Sequence, residues 1–193
     1  RQAGVSTSGT RHIDPDGAGT IVAQEVVCDM VTDGGGYTFL KASPGSAYNA
    51  AQAEVYCEDR GMQLFIPRTA AHLLSAWQTA TNASLGPSGS DAYLRILGIY
   101  PSSPGARCDS MALNSANASC GWRAGDSGQF WVSTRTDIAE PNGNSGDAGL
   151  ITSMSYTYDG SGNATSWNDI PGAGHTSATF MCDVGDKTAQ PRS

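Results

Sequence analysis

From Ile21 to Asp29 the chain is β-branched and partly alternating, and Tyr37-Thr38-Phe39-Leu40 resumes that character after Thr32-Asp33-Gly34-Gly35-Gly36. Strand, glycine turn, strand predicts a hairpin. The period then changes. Ala47 to Gly61 is rich in Ala, Gln and Glu and puts Ala50, Ala53, Cys57 and, less cleanly, Tyr56 on one face. This predicts a helix capped by Gly61. Leu64-Phe65-Ile66 is a short apolar run closed by Pro67. A second helix is expected over 69–81, where Ala70, Leu73, Leu74 and Trp77 stand at i, i+3, i+4 and i+7. That stripe suits core packing better than a binding groove.

After residue 85 the helical spacing stops. Tyr93 to Tyr100, Gln129 to Thr134, Met154 to Tyr158 and Ala178 to Val184 are the strand candidates, and Glu140 to Gly149 is all turn chemistry. Residues 1–20 are polar and rich in Gly and Ser, a lead-in with a turn at Asp14-Pro15-Asp16-Gly17. Two early helices followed by strands and long loops predict an α+β domain. No internal repeat is visible.

Length and composition narrow the class. The 193 residues are enough for one domain with a core of its own, and 39% hydrophobic residues with 24 glycines describe an ordered, turn-rich chain. A net charge of −7 disfavours nucleic acid and anionic lipid as partners and favours cations. No apolar run is long enough to span a bilayer. No signal-peptide pattern opens the chain, which fits a mature or trimmed start. Cys28, Cys57, Cys108, Cys120 and Cys182 are widely spaced with no CxxC pair, a pattern of disulfides in an oxidising compartment rather than of zinc. Sequons at Asn82, Asn117 and Asn163 agree with secretion.

Candidate chemistry lies in the loop-rich half. Glu140-Pro141-Asn142, followed by Asp147, and Trp167-Asn168-Asp169 are two oxygen-rich clusters. Calcium takes six to eight oxygens from carboxylates and amide carbonyls in irregular geometry. Glu140, Asn142, Asp147, Asn168 and Asp169 are five side chains of that kind. Each alone would serve equally well as a turn stabiliser.

Glu-Pro-Asn followed by Trp-Asn-Asp resembles the sugar-binding signature of C-type lectins. The wider order is similar too: Cys57 in a first helix, a second helix, a strand at 94–98, the two motifs, then Phe180-Met181-Cys182. The resemblance spans residues 36–184 and implies a C-type lectin-like fold whose two helices and antiparallel strands carry long loops with a calcium site. It implies a cis Glu140–Pro141 bond that aims both neighbours at one point. It implies that each ligand side chain shares itself between calcium and a sugar hydroxyl. Glu140 accepts and Asn142 donates at one hydroxyl; Asn168 and either Glu140 or Asp169 serve the other. In the family, Glu-Pro-Asn goes with mannose- or fucose-type sugars, and the module is a non-enzymatic binder of glycans or glycoproteins. It is presented outside the cell by an oligomer or a larger assembly in adhesion, without membrane insertion.

Three features depart from the family pattern. No cysteine follows the motifs to form an inner disulfide until Cys182, Asp147 is out of register, and the gap from Asn142 to Asn168 is long. The last predicts an inserted hairpin or loop. The resemblance also implies a fold-closing Cys57–Cys182 bridge, worth roughly 4–5 kcal/mol in the chain-entropy model, and a local Cys108–Cys120 bridge. Cys28 is left over.

A second resemblance concerns the start. Cys28-Asp29-Met30 with Thr32-Asp33-Gly34-Gly35-Gly36-Tyr37-Thr38 is similar to the opening hairpin of fibrinogen-like domains. Residues 1–40 are therefore expected as lead-in and hairpin, 41–185 as the lectin-like domain and 186–193 as a tail.

Two rivals compete. Thr69-Ala70-Ala71-His72 and Gly125-Asp126-Ser127-Gly128 look like fragments of a trypsin-like site, but His72 and Ser127 are too close in sequence for the intervening barrel and Asp. The other rival is a structural or protein-binding lectin-like module without sugar binding. His12 and His175 lack metal-like spacing. Trp77, Trp122 and Trp131 suit core or loop anchoring, and Trp167 suits packing beneath the calcium loop.

Overall fold

A computed structural model describes residues 6–117, 119–145, 154–158, 163–171 and 175–185. Its centre is a five-stranded sheet in the order β1-β2-β3-β9-β4, antiparallel at every pairing. These strands are β1 (Gly9–Ile13), β2 (Gln24–Asp29), β3 (Tyr37–Ala42), β4 (Gln63–Leu64) and β9 (Phe180–Asp183). Between β3 and β4 runs α1 (Ala50–Glu58), and after β4 come α2 (Ala70–Thr81) and the single turn α3 (Ser90–Tyr93). Two small antiparallel pairs complete the α+β fold: β5 (Ile99–Pro101) with β6 (Trp122–Ala124), and β7 (Met154–Tyr158) with β8 (Ala164–Asp169).

The glycine turn between β2 and β3 forms for a steric reason. Gly35 has φ +75°, and a Cβ there would lie 2.3 Å from the Met30 carbonyl, so only glycine lets the chain close the hairpin. Residues 40 and 41 both lie within β3, which pairs with β2 on one side and β9 on the other.

α1 starts on a capping box. Asn49 accepts from the Gln52 N–H at 3.0 Å, and Gln52 accepts from the Asn49 N–H at 3.0 Å. It buries Ala50, Ala53 and Cys57. α2 is capped by the Thr69 hydroxyl and buries Leu73 and Ala76. Cys57 and Cys182 are bridged, as are Cys108 and Cys120; Cys28 is a free thiol buried in β2. One apolar cluster gathers Phe39, Phe65, Leu73, Leu97, Trp122 and Trp167; a second gathers Val26, Ala50, Ala53, Leu64 and Phe180 around the Cys57–Cys182 bridge.

Three elements differ from the sequence expectations. The lead-in contains a strand, β1, because its backbone pairs with β2 although its residues alternate only weakly. The expected strand over 93–100 shrinks to Ile99–Pro101, since residues up to Tyr93 close α3. Gln129 to Thr134 is not a strand: its pairing with 113–115 is limited to one antiparallel bridge, Trp131 with Asn114, and the Trp131 N–H turns to Pro67, so no ladder extends. Between Asn142 and Asn168 lies the β7–β8 hairpin. Among the described residues no helix is long and apolar enough to cross a membrane.

Candidate functional site

β8 ends in Trp167-Asn168-Asp169, and strand alternation sorts the three. Trp167 and Asp169 are buried, at 4% and 3% exposure, while Asn168 is exposed. Trp167 packs in the main core and donates from Nε1 to the Glu140 carbonyl at 2.6 Å. That bond fastens the loop carrying Glu140 to the end of β8. The Glu140–Pro141 peptide is cis.

Asp169 then ties the loop down. Its Oδ1 accepts from the Asn142 N–H at 3.1 Å and its Oδ2 from the Ser145 N–H at 3.0 Å. The Ser145 hydroxyl donates to the Asp169 carbonyl. Glu140 faces the same point. Its Oε2 accepts from the Asn142 N–H at 3.0 Å and its Oε1 from Asn142 Nδ2 at 2.7 Å. Asn142 Oδ1 in turn accepts from the Asn144 N–H at 2.9 Å.

The two carboxyl groups both accept from the Asn142 N–H, and their proton affinities split. Glu140 is raised above the ordinary carboxylate value, first by burial and then by sharing a hydrogen bond with Asp169. In Asp169 burial works in the opposite direction but is outweighed by donation from Ser145, together with Glu140 and the Asn142 N–H, so its pKa is lowered. A divalent ion would offset the repulsion between two such neighbouring carboxyls.

The donor set partly fits calcium. Glu140 and Asp169 converge, Asn142 sits between them, and Asn168 lies exposed at the strand end. Asp147 lies outside the described residues. No group of three or more His, Cys, Asp or Glu side chains is placed to hold a metal among the described residues. The described set is two carboxylates and two carboxamides, and six to eight ligands would require further oxygens from water and ligand hydroxyls as well. The Asn142-to-Glu140 side-chain bond occupies oxygen that an ion would use.

Several residues that support the site carry no residue-type signature. Cys108 N–H donates to the Pro141 carbonyl at 2.8 Å and Ser110 N–H to the Ile138 carbonyl at 2.7 Å. Ser145 holds Asp169 through its N–H and hydroxyl. Backbone donors are common to nearly every residue, so only the turn-rich composition of 140–149 hinted at Ser145.

The remaining candidates lie elsewhere. His72 is 1% exposed, with Nε2 2.9 Å from Asp183 and Nδ1 accepting from the Arg68 N–H at 3.3 Å. Its ring also stacks on Tyr37. Ser127 is exposed in the turn where Arg68 pairs with Asp126, so His72 is committed to the core rather than to Ser127. His12 is exposed on β1, and burial lowers the pKa of His175, with Arg95 adding to the effect. Trp122 is buried and donates to the Ala106 carbonyl at 3.2 Å; Trp77 packs on Tyr158.

No known protein-family model matches this chain, and no curated protein matches it in sequence. Fold and site together define an antiparallel α+β domain with two disulfides and a two-carboxylate loop cluster.

Proposed function

We propose that the chain is a secreted, calcium-dependent carbohydrate-binding module of the C-type lectin-like fold, without catalytic activity of its own. One observation carries the reading. The end of β8 and the 140–145 loop, far apart in sequence, are drawn together by Asp169 so that Glu140, Asn142 and Asp169 share one point. Glu140, Asn142, Asn168 and Asp169 would hold calcium, with Asp147 as a further candidate, and the ion would supply direct coordination of two neighbouring sugar hydroxyls. The chain's own groups fix orientation. Glu140 accepts from a hydroxyl, Asn142 donates to it, and Asn168 serves the next one. Mannose- and fucose-type glycans or glycoproteins are the ligands. Two disulfides support an oxidising, extracellular setting.

A second reading is a structural or protein-binding lectin-like module. It is favoured by the hydrogen bonds that join Asn142 to Glu140 and to Asn144, and Ser145 to Asp169, which engage the same oxygens an ion would use. A glycan array of multivalently presented protein separates the two. The lectin reading predicts mannose- or fucose-type binding in millimolar calcium that vanishes in excess EDTA; silence in both buffers favours the structural module.

A further inference from the structure

We infer that the disulfide-closed loop Cys108–Cys120 is the positioning element of this site, holding Glu140-Pro141-Asn142 in place before any ligand arrives. Its functional consequence rests on the calcium and sugar reading above. The ligand-bearing segment has two walls. One is β8, through Trp167 and Asp169. The other is the start of the disulfide loop, which meets the segment on both sides of Glu140. Ser110 N–H bonds Ile138 and Cys108 N–H bonds Pro141.

A third contact follows at Gly143, whose φ is +75°. A Cβ there would lie 2.5 Å from the Gly105 carbonyl oxygen and 3.2 Å from Arg107 Cγ. Backbone lies against backbone at this point, and glycine is what permits it.

The second wall is itself fixed. Cys108 and Cys120 are buried and bridged with Cα atoms 4.4 Å apart. Inside the loop, the Leu113 carbonyl accepts from the Val132 N–H, and Asn114 Nδ2 donates to the Ser133 carbonyl at 3.1 Å. Arg107 and Asp109 pair through two bonds of 3.0 Å across the residue that contacts Pro141. The bridge thus pins the residue whose N–H holds Pro141. A binding site needs its contact groups held to within a fraction of an ångström by such surroundings.

Two variants test this: Cys108→Ala/Cys120→Ala, and Gly143→Ala, which leaves the bridge intact. Hydrogen exchange is followed by mass spectrometry over 138–145, with the five-stranded sheet as an internal control for folding. Calcium-dependent retention on immobilised mannose is measured in parallel. The inference predicts faster exchange over 138–145 with the sheet unchanged, and calcium affinity reduced roughly 10–100-fold, the usual effect of losing support around metal ligands. Wild-type exchange over 138–145 in both variants would overturn it, as would faster exchange with unchanged calcium affinity. If the wild-type protein binds neither calcium nor mannose, the sugar-site reading fails. Exchange alone then decides whether the loop positions the segment.

Discussion

The five-stranded sheet and the loop cluster around Glu140 are built by different means. In the sheet, β3 and β9 exchange backbone bonds along four residue pairs, and α1 is stapled to β9 through Cys57–Cys182. At the site, order comes from a few single side chains: Asp169 takes two backbone N–H groups, and Trp167 holds one carbonyl. A ladder spreads its stability over many equivalent bonds. A cluster of this kind concentrates it in a few residues whose loss leaves buried groups unpaired.

The largest effect expected from breaking this contrast is in the sheet. Cys57→Ala/Cys182→Ala should cost about 4–5 kcal/mol, because the bridge spans most of the chain. Urea unfolding followed by circular dichroism measures it; a loss near zero would show that the sheet holds without its staple. At the site, Asp169→Ala strands the Ser145 N–H and leaves the Asn142 N–H with Glu140 alone. It should cost about 1–3 kcal/mol in the same assay and also abolish calcium-dependent glycan binding. Full binding by that variant would remove Asp169 from the ligand set. Asn49→Ala, which deletes the α1 capping box, should cost about 1 kcal/mol and leave glycan binding intact.

The smallest effect is a pH dependence of opposite sign in the two carboxyls. Asp169, lowered below 3.8, contributes stability that is present above its unfolded value and is lost as pH falls through its folded one. Glu140, raised above 4.5, contributes stability that is present below that value and is lost as pH rises through its folded one. Urea midpoints of metal-free protein should therefore fall on the alkaline side of 4.5 and again below 3.8. Glu140→Gln should remove the first decline. A decline that survives this substitution would assign it to another group.

The same contrast governs how much could be foreseen. α2 was legible because Ala70, Leu73 and Trp77 repeat at helical spacing, and its observed span is Ala70–Thr81. β1 was not, since Gly9–Ile13 becomes a strand only through its partner β2. Gln129 to Thr134 carried β-type residues, but its N–H groups turn to different neighbours, which no local pattern encodes. The ligand candidates were legible as residue types. Ser145, Cys108 and Ser110 were not, because what they contribute is chiefly a backbone N–H. Gly143 showed as a turn residue, whereas its close approach to Gly105 depends on the folded disulfide loop.

In the calcium-binding reading proposed above, the ion enters the space shared by Glu140, Asn142 and Asp169. Trp167 reports on that space directly, since its indole N–H is bonded to the Glu140 carbonyl. A calcium titration following the assigned Trp167 indole cross-peak by NMR is the most direct test. Calcium binding there should give a saturable shift at up to millimolar calcium, reversed by EDTA and absent in Asp169→Asn. A Trp167 signal that stays fixed while the protein remains folded would contradict it.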